Sequence, residues 1–297
     1  MQIRLFKPLL RGILPLLLLF SAVSSAAAAA EGSFASRTIA GRKYLKASDV
    51  ARYFGMKLSG SAAINRYEMR GSAGSMVFTP QKRYGSFNGT VLTYSFPPVV
   101  QNGTLYISDS DFQYHLQPLL NTRSLRSTVV RTIMLDPGHG GSDRGAAGAR
   151  LIEKELTLQV VQRLRSALER MGYRVLLTRN SDRTLSLDQR SRMSNAAKAD
   201  LFISIHMNAT TASAVRGIET FALTPPGASS SGSETVLYNR YPGNAALLNS
   251  NALAMSVQRS LIQTTGAIDR GMKRARFAVL REARCPAILV ECGFVSN

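Results

Sequence analysis

Residues 132–178 read TIMLDPGHGGSDRGAAGARLIEKELTLQVVQRLRSALERMGYRVLLT, and their pattern decides the fold. The apolar run Thr132 to Leu135 is too short for a helix and runs into the Pro137-Gly138 turn signal. From Glu153 to Met171 the apolar positions Leu156, Val160, Leu164, Leu168 and Met171 fall near a 3.6-residue period, and Gly172 stands at the stop position. Arg174 to Thr178 is a second short apolar run. Strand, loop, helix and strand in that order are the signature of an α/β domain with parallel strands.

The alternation continues outward from this stretch. Further strands are predicted at Leu201–His206, Gly217–Leu223, Phe277–Leu280 and Ala287–Glu291, and helices at Leu187–Ala197 and Leu248–Thr264. Residues 225–245 are rich in Pro, Gly and Ser and read as an exposed loop. Before Arg131 the pattern is different. Residues 121–130 are a polar linker, and 31–120 alternate short apolar runs with turn signals such as Asn88-Gly89, Pro97-Pro98 and Asn102-Gly103. Two short helices, Ala47–Tyr53 and Ser108–Leu116, fit among those strands. The expected architecture is α/β: a mixed, mostly parallel twisted sheet flanked by helices over 131–297, preceded by a small α+β domain over 31–120.

Residues 1–30 read as a signal peptide. Arg4, Lys7 and Arg11 precede an apolar stretch from Gly12 to Val23, followed by small residues that offer cleavage sites. The apolar stretch is shorter than the roughly 20 residues a spanning helix needs. Secretion across the cytoplasmic membrane follows, with the periplasm or cell wall as destination and no stable membrane insertion. The formal charge is +19, and removing the leader, with three basic residues and no acidic ones, leaves +16. Such a charge favours polyanions; after export, anionic lipid and the anionic wall remain as partners and nucleic acid does not. Cys285 and Cys292 bracket a predicted strand that would hold them roughly 20 Å apart, beyond disulfide reach, so two free thiols are expected.

The chemistry concentrates in four segments: 135–141 (LDPGHGG), 152–156 (IEKEL), 203–208 (ISIHMN) and 290–294 (VECGF). His139 follows a strand through a turn, while His206 and Glu291 each close a strand, and sites in open α/β sheets collect beyond the carboxyl ends of strands. Glu153 opens a helix that can point at the same crevice. Two histidines and a carboxylate form a common catalytic zinc set with one coordination position left for water. A second carboxylate is then needed to move protons, and Glu291 is placed for that. Singly each residue is ordinary: a loop or core histidine, a helix-start glutamate favoured by the macrodipole. Glu155 competes with Glu153, but two residues apart they face different sides of a helix, and Glu153 is preferred. His115 stands alone and is read as structural, because zinc needs three or four ligands.

These residues carry a resemblance. Residues 131–297 resemble the zinc-dependent N-acetylmuramoyl-L-alanine amidases of the amidase 3 type through Asp136–Gly141, Glu153-Lys154, Thr178-Arg179, Leu187 with Arg190, Ser204–Asn208 and Glu291–Asn297. The resemblance implies that His139, Glu153 and His206 hold Zn2+, that Glu291 is catalytic, and that the substrate and partner is peptidoglycan, cut between N-acetylmuramic acid and L-alanine. Asn208 is a candidate for orienting substrate or His206. Members of the family usually continue past the last motif into a closing helix, whereas this chain stops at Asn297, which marks it as a candidate fragment. Some relatives carry a helix near 225–245 that blocks the zinc; here that region lacks an amphipathic period, and no self-inhibition is expected. Residues 31–120 are similar, through Ile39-Ala40-Gly41 and Asn88-Gly89, to copper amine oxidase N-terminal-like domains, with wall binding as the expected role. Two alternatives stay open: a zinc carboxypeptidase-type peptidase, and a peptidoglycan-binding protein that does not cleave.

Overall fold

The computed structural model describes residues 34–126, 129–148, 151–212 and 214–296. The expected signal peptide lies outside them, as does Asn297. The chain divides into two compact units, one of 34–126 together with Thr224–Asn239, the other of Ser127–Leu223 and Arg240–Asn297.

The first unit runs β1 (Ser36–Ile39), β2 (Arg42–Lys46), α1 (Ala47–Tyr53), β3 (Lys57–Ser61), β4 (Arg66–Gly71), β5 (Gly74–Phe78), β6 (Tyr84–Phe87), β7 (Thr90–Thr93), β8 (Val99–Gln101) and β9 (Thr104–Ser108). Strands β1-β2-β9-β8 form one antiparallel sheet, and β3 to β7 an antiparallel meander. Asn88-Gly89 and Asn102-Gly103 close two hairpins with positive φ at both residues, the conformation of tight hairpin turns. After β9 a helical run over 109–120 starts at Ser108, whose side chain caps the Asp111 N–H. Asp111 is buried and accepts from Ser95 N (2.7 Å), Phe96 N (3.1 Å) and Ser108 Oγ (2.5 Å), with His115 Nδ1 at 2.8 Å. His115 is thus part of a buried polar junction.

The second unit opens with β10 (Thr132–Pro137), α2 (Glu153–Arg170), β11 (Arg174–Leu177), α3 (Leu187–Ala196), β12 (Leu201–Asn208) and β13 (Ile218–Leu223). The chain then contributes β14 (Ala228–Ser229) and β15 (Val236–Leu237) to the first unit, and returns as α4 (Leu247–Thr265), β16 (Asp269–Ala275), α5 (Ala278–Glu282) and β17 (Ala287–Phe294). Within this unit the strand order is β11-β10-β12-β17-β13-β16. Every neighbouring pair is parallel except β17 with β13, so the sheet is mixed and mostly parallel. Helix α2 buries Val160, Val161, Leu164, Ala167 and Leu168. Ser186 and Gln189 form a reciprocal capping box at the start of α3.

Two expectations need correction. Phe277–Leu280 is not a strand; Ala278–Glu282 is a short helix, and the strand is Asp269–Ala275. Residues 225–245 are not simply an exposed loop. Ala228 and Ser229 are buried, with Ala228 packed among Tyr44, Phe96 and Tyr106 in the first unit. Arg83 donates to the carbonyls of Ser229, Ser230 and Ser233, and Ser229 Oγ donates to the Ser95 carbonyl at 2.8 Å. The expected continuous domain 131–297 therefore lends one segment to its neighbour in sequence. Cys285 and Cys292 are both free thiols. Among the described residues no helix is long and apolar enough to cross a membrane.

Candidate metal centre

The order β10-β12-β17-β13 puts the ends of four strands side by side. Beyond the end of β10 the chain turns through Gly138 into His139, which takes a left-handed φ of 60°. A branched or bulky residue would resist that backbone; histidine tolerates it better, and here it is clamped. The buried guanidinium of Arg190, on α3, donates to the His139 carbonyl (2.8 Å), the Pro137 carbonyl (2.8 Å) and Asp136 Oδ1 (2.8 Å). Asp136 also accepts from Thr178 Oγ1 (2.6 Å) and Ser204 Oγ (2.7 Å). Arg179, buried as well, donates to the carbonyls of Pro137, Gly138 and Lys154. The loop that presents His139 is held by fixed donors rather than by its own regular structure.

His139, Glu153 and His206 converge, each offering one ligand atom, with these atoms within 4.8 Å of one another. Glu153 is the centre of the group. Its Oε2 lies 3.1 Å from His139 Nε2 and accepts from Ala146 N at 2.8 Å. Its Oε1 lies 2.9 Å from His206 Nδ1 and accepts from Met207 N at 3.0 Å. Glu155 is exposed and lies outside this group. Burial pushes the Glu153 carboxyl up, but the hydrogen bonds from both imidazoles and from the two backbone N–H groups outweigh it and hold the group far below the usual range. The hydrogen bond to Glu153 raises the His139 imidazole against the opposing effect of burial, with Asp143 adding to the rise. His139 Nδ1 lies 2.9 Å from Asp143 Oδ2, an outer carboxylate that fixes the ring and leaves Nε2 as the inward donor.

Two glycines make room for this cluster. A Cβ at Gly138 would stand 2.4 Å from His206 Cε1, and a Cβ at Gly145 would stand 2.6 Å from Glu153 Oε2. Both contacts are shorter than real side chains allow, so the backbone is fitted to a ring and a carboxylate that must sit close together.

Glu291 is directly opposite His206 in the β12–β17 register, and Glu219 is directly opposite Glu291 in the β17–β13 register. Paired residues on adjacent strands point to the same face, so these three side chains form a row. Among the described residues the buried Glu291 Oε2 has no hydrogen-bond partner. Burial first, then the charges of Glu153 and Glu219, push the Glu291 carboxyl up to about 8. Asn208 donates its amide to Glu219 Oε1 at 3.0 Å rather than to His206. Asp143 and Glu219 escaped the sequence reading, and Asp136 entered it only as part of a motif, without a role. Asp143 stands four residues after His139, a spacing that was available as a signal; the other two act only through partners far away in sequence.

Residues 133–297, more than half of the chain, match the Amidase_3 family, described as N-acetylmuramoyl-L-alanine amidase. The chain belongs to this family. Relatives include the N-acetylmuramoyl-L-alanine amidase LytC of Bacillus subtilis, 35% identical over 184 residues, which are 61% of this chain and 33% of LytC. The N-acetylmuramoyl-L-alanine amidase CwlM of Bacillus licheniformis is 41% identical over 167 residues, 56% of this chain and 57% of that protein. The chain thus spans a third to about half of the length of these two amidases. Among solved structures, an N-acetylmuramoyl-L-alanine amidase from Clostridium difficile 630 is 32% identical with a TM-score of 0.47, covering 57% of this chain and 82% of its own.

Proposed function

We propose that this Amidase_3 member hydrolyses the amide bond between N-acetylmuramic acid and L-alanine in peptidoglycan, with zinc as its metal. The observation that carries the proposal is one cluster of side chains. Two imidazole nitrogens and a carboxylate meet within ligand distance of one another, and beside them stands a buried carboxylate oxygen with no partner. The donor set fits zinc: two neutral nitrogens and one carboxylate suit a borderline cation and leave one position open. His139 Nε2, Glu153 and His206 Nδ1 are the atoms that would hold it. When bound, such an ion supplies a water acidic enough to ionise near pH 7 and a positive charge for a carbonyl oxygen.

The remaining chemistry belongs to the chain. Glu291 accepts the proton of the attacking water on its unpartnered oxygen and returns it to the departing L-alanine nitrogen. Asp143 orients His139, and Arg190 and Arg179 hold the loop backbone, so the donors are in place before substrate arrives. The basic leader, apolar core and small-residue tract of 1–30 support secretion to the periplasm or wall, and the net charge of +16 that remains supports attraction to an anionic wall. The first unit is assigned to wall binding on the same grounds.

The test is product analysis. Purified sacculi incubated with the full chain should release stem peptides with a free L-alanine amino terminus from intact glycan, and a chelator should stop the release. Products shortened at the peptide carboxyl end instead would make the chain a carboxypeptidase, and no product with zinc restored would leave only the wall-binding reading.

A further inference from the structure

The row His206, Glu291, Glu219 continues one strand further. From β16, Arg270 Nε donates to Glu219 Oε2 at 2.9 Å and Lys273 Nζ donates to the same oxygen at 2.5 Å. We propose that Arg270 and Lys273 form an anion subsite that binds a carboxylate of the peptide stem on the far side of Glu291 from the metal centre. The proposal rests on the amidase reading for the identity of the substrate and extends it to how the stem is held.

The charge count is the first reason. Glu219 carries one negative charge and is 4% exposed, while Asn208 already donates to its other oxygen. One cation would neutralise it; two are present, and the surplus positive charge lies outward. The side chains of Arg270 and Lys273 are 32% and 22% exposed, against 5% for Glu219. The carboxylate is therefore a buried anchor, and the cations are its open side.

The second reason is preorganisation. Arg270 uses only Nε on Glu219, and among the described residues its two terminal amino groups have no acceptor. The guanidinium is also fixed against the Phe294 ring, 5.0 Å from its centroid, in the strand that carries Glu291. A guanidinium held by Nε on one side and by an aromatic face on another presents the remaining fork to a planar anion. A surface ion pair made only for stability would not need this arrangement.

The third reason is reach. Strands stand about 4.8 Å apart, so β16, two strands from β17, lies about 10 Å from the Glu291 backbone. An extended peptide covers about 10 Å in three residues. A carboxylate within the first three residues of the stem can thus lie on Arg270 while the bond to be cut lies at Glu291. The stem is the source of that anion, since the glycan loses its free acid when the lactyl group is amidated.

The experiment reads binding apart from turnover. A stem peptide that begins with L-alanine and carries free carboxylates, and the same peptide with carboxamides in their place, are titrated calorimetrically into the full chain. The free acid is expected to bind about tenfold more tightly, the scale of a partly exposed charge-assisted contact, and the preference should shrink as salt rises. Arg270→Gln and Lys273→Gln should each weaken the preference, and Arg270→Lys, which keeps the charge but loses the fork and guards against misfolding of the neutral variants, should fall between. Equal binding of the two peptides to the unaltered chain overturns the subsite, as does an undiminished preference in both glutamine variants. If sacculi are not cut but the preference and its loss are seen, the amidase reading fails and the subsite stands.

Discussion

Glu291 keeps one buried carboxyl oxygen, Oε2, without a hydrogen-bond partner among the described residues, and its acidity follows from its burial. Its ordinary value of 4.5 rises to about 8, through burial first and then the negative charges of Glu153 and Glu219. The sign of the stability effect follows from linkage. A group whose folded value is raised holds its proton more tightly when folded, so its contribution is complete below pH 4.5 and is lost as the pH rises through 8. In metal-free protein, Glu291→Gln removes the titration. The variant should therefore be the more stable form at pH 8 by a few kcal/mol, with the gap narrowing towards pH 4.5. Thermal denaturation of both proteins across that range checks this; parallel curves would mean that Glu291 is solvated or paired. Glu153 behaves in the opposite sense. Its lowered value makes it a source of stability above the ordinary carboxylate range that disappears in acid, so the two carboxylates need to be separated by the variant and not by the pH profile alone.

At the level of elements, α3 reaches the candidate metal centre through Arg190. Arg190 reaches from the helix to Asp136 in β10 and to the carbonyl of His139. Removing it by Arg190→Met leaves Asp136 charged and buried against two hydroxyls, and breaking such a pair costs about 3–5 kcal/mol. Urea unfolding should show that loss, whereas Arg192→Met on the exposed side of the same helix should change stability by less than about 0.5 kcal/mol. This network was only half legible in the sequence. Elements with a strong period were plain: α2 runs from Glu153 as its leucine and valine spacing requires, and β12 and β17 lie where expected, although they run on to Asn208 and Phe294 instead of closing at His206 and Glu291. Four-residue apolar runs were not, because FAVL at 277–280 suits a strand or one helical turn equally. The true strand, DRGMKRA, hides behind four charged residues. Two of them, Arg270 and Lys273, meet Glu219, a partner some fifty residues earlier that no local pattern announces.

The whole molecule has an interleaved connectivity that composition concealed. Pro, Gly and Ser in 225–245 predicted an irregular segment, and among its residues the described elements are only two short strands and a 3-10 turn, with no α-helix. Exposure was the misleading inference, because small residues also let a segment lie close to another surface. Ala228 is fully buried among Tyr44, Phe96 and Tyr106. Placing a charge there by Ala228→Asp should destabilise the first unit by roughly 3 kcal/mol or more, read as earlier proteolysis of residues 34–126. The proposed wall binding by that unit is accordingly tested on the full chain, since a deletion removes the partners of Thr224–Asn239. The central claim remains the division of labour in the second unit, three side chains for the metal and a fourth for the proton. Zinc content and turnover of Glu291→Gln and His139→Ala, measured side by side on purified full-length protein, test it most directly. The account predicts that the glutamine variant keeps stoichiometric zinc while its turnover falls by about 10²–10⁴, and that the alanine variant loses both. A glutamine variant that loses zinc as completely as the alanine variant, or that keeps near-normal turnover, would contradict it.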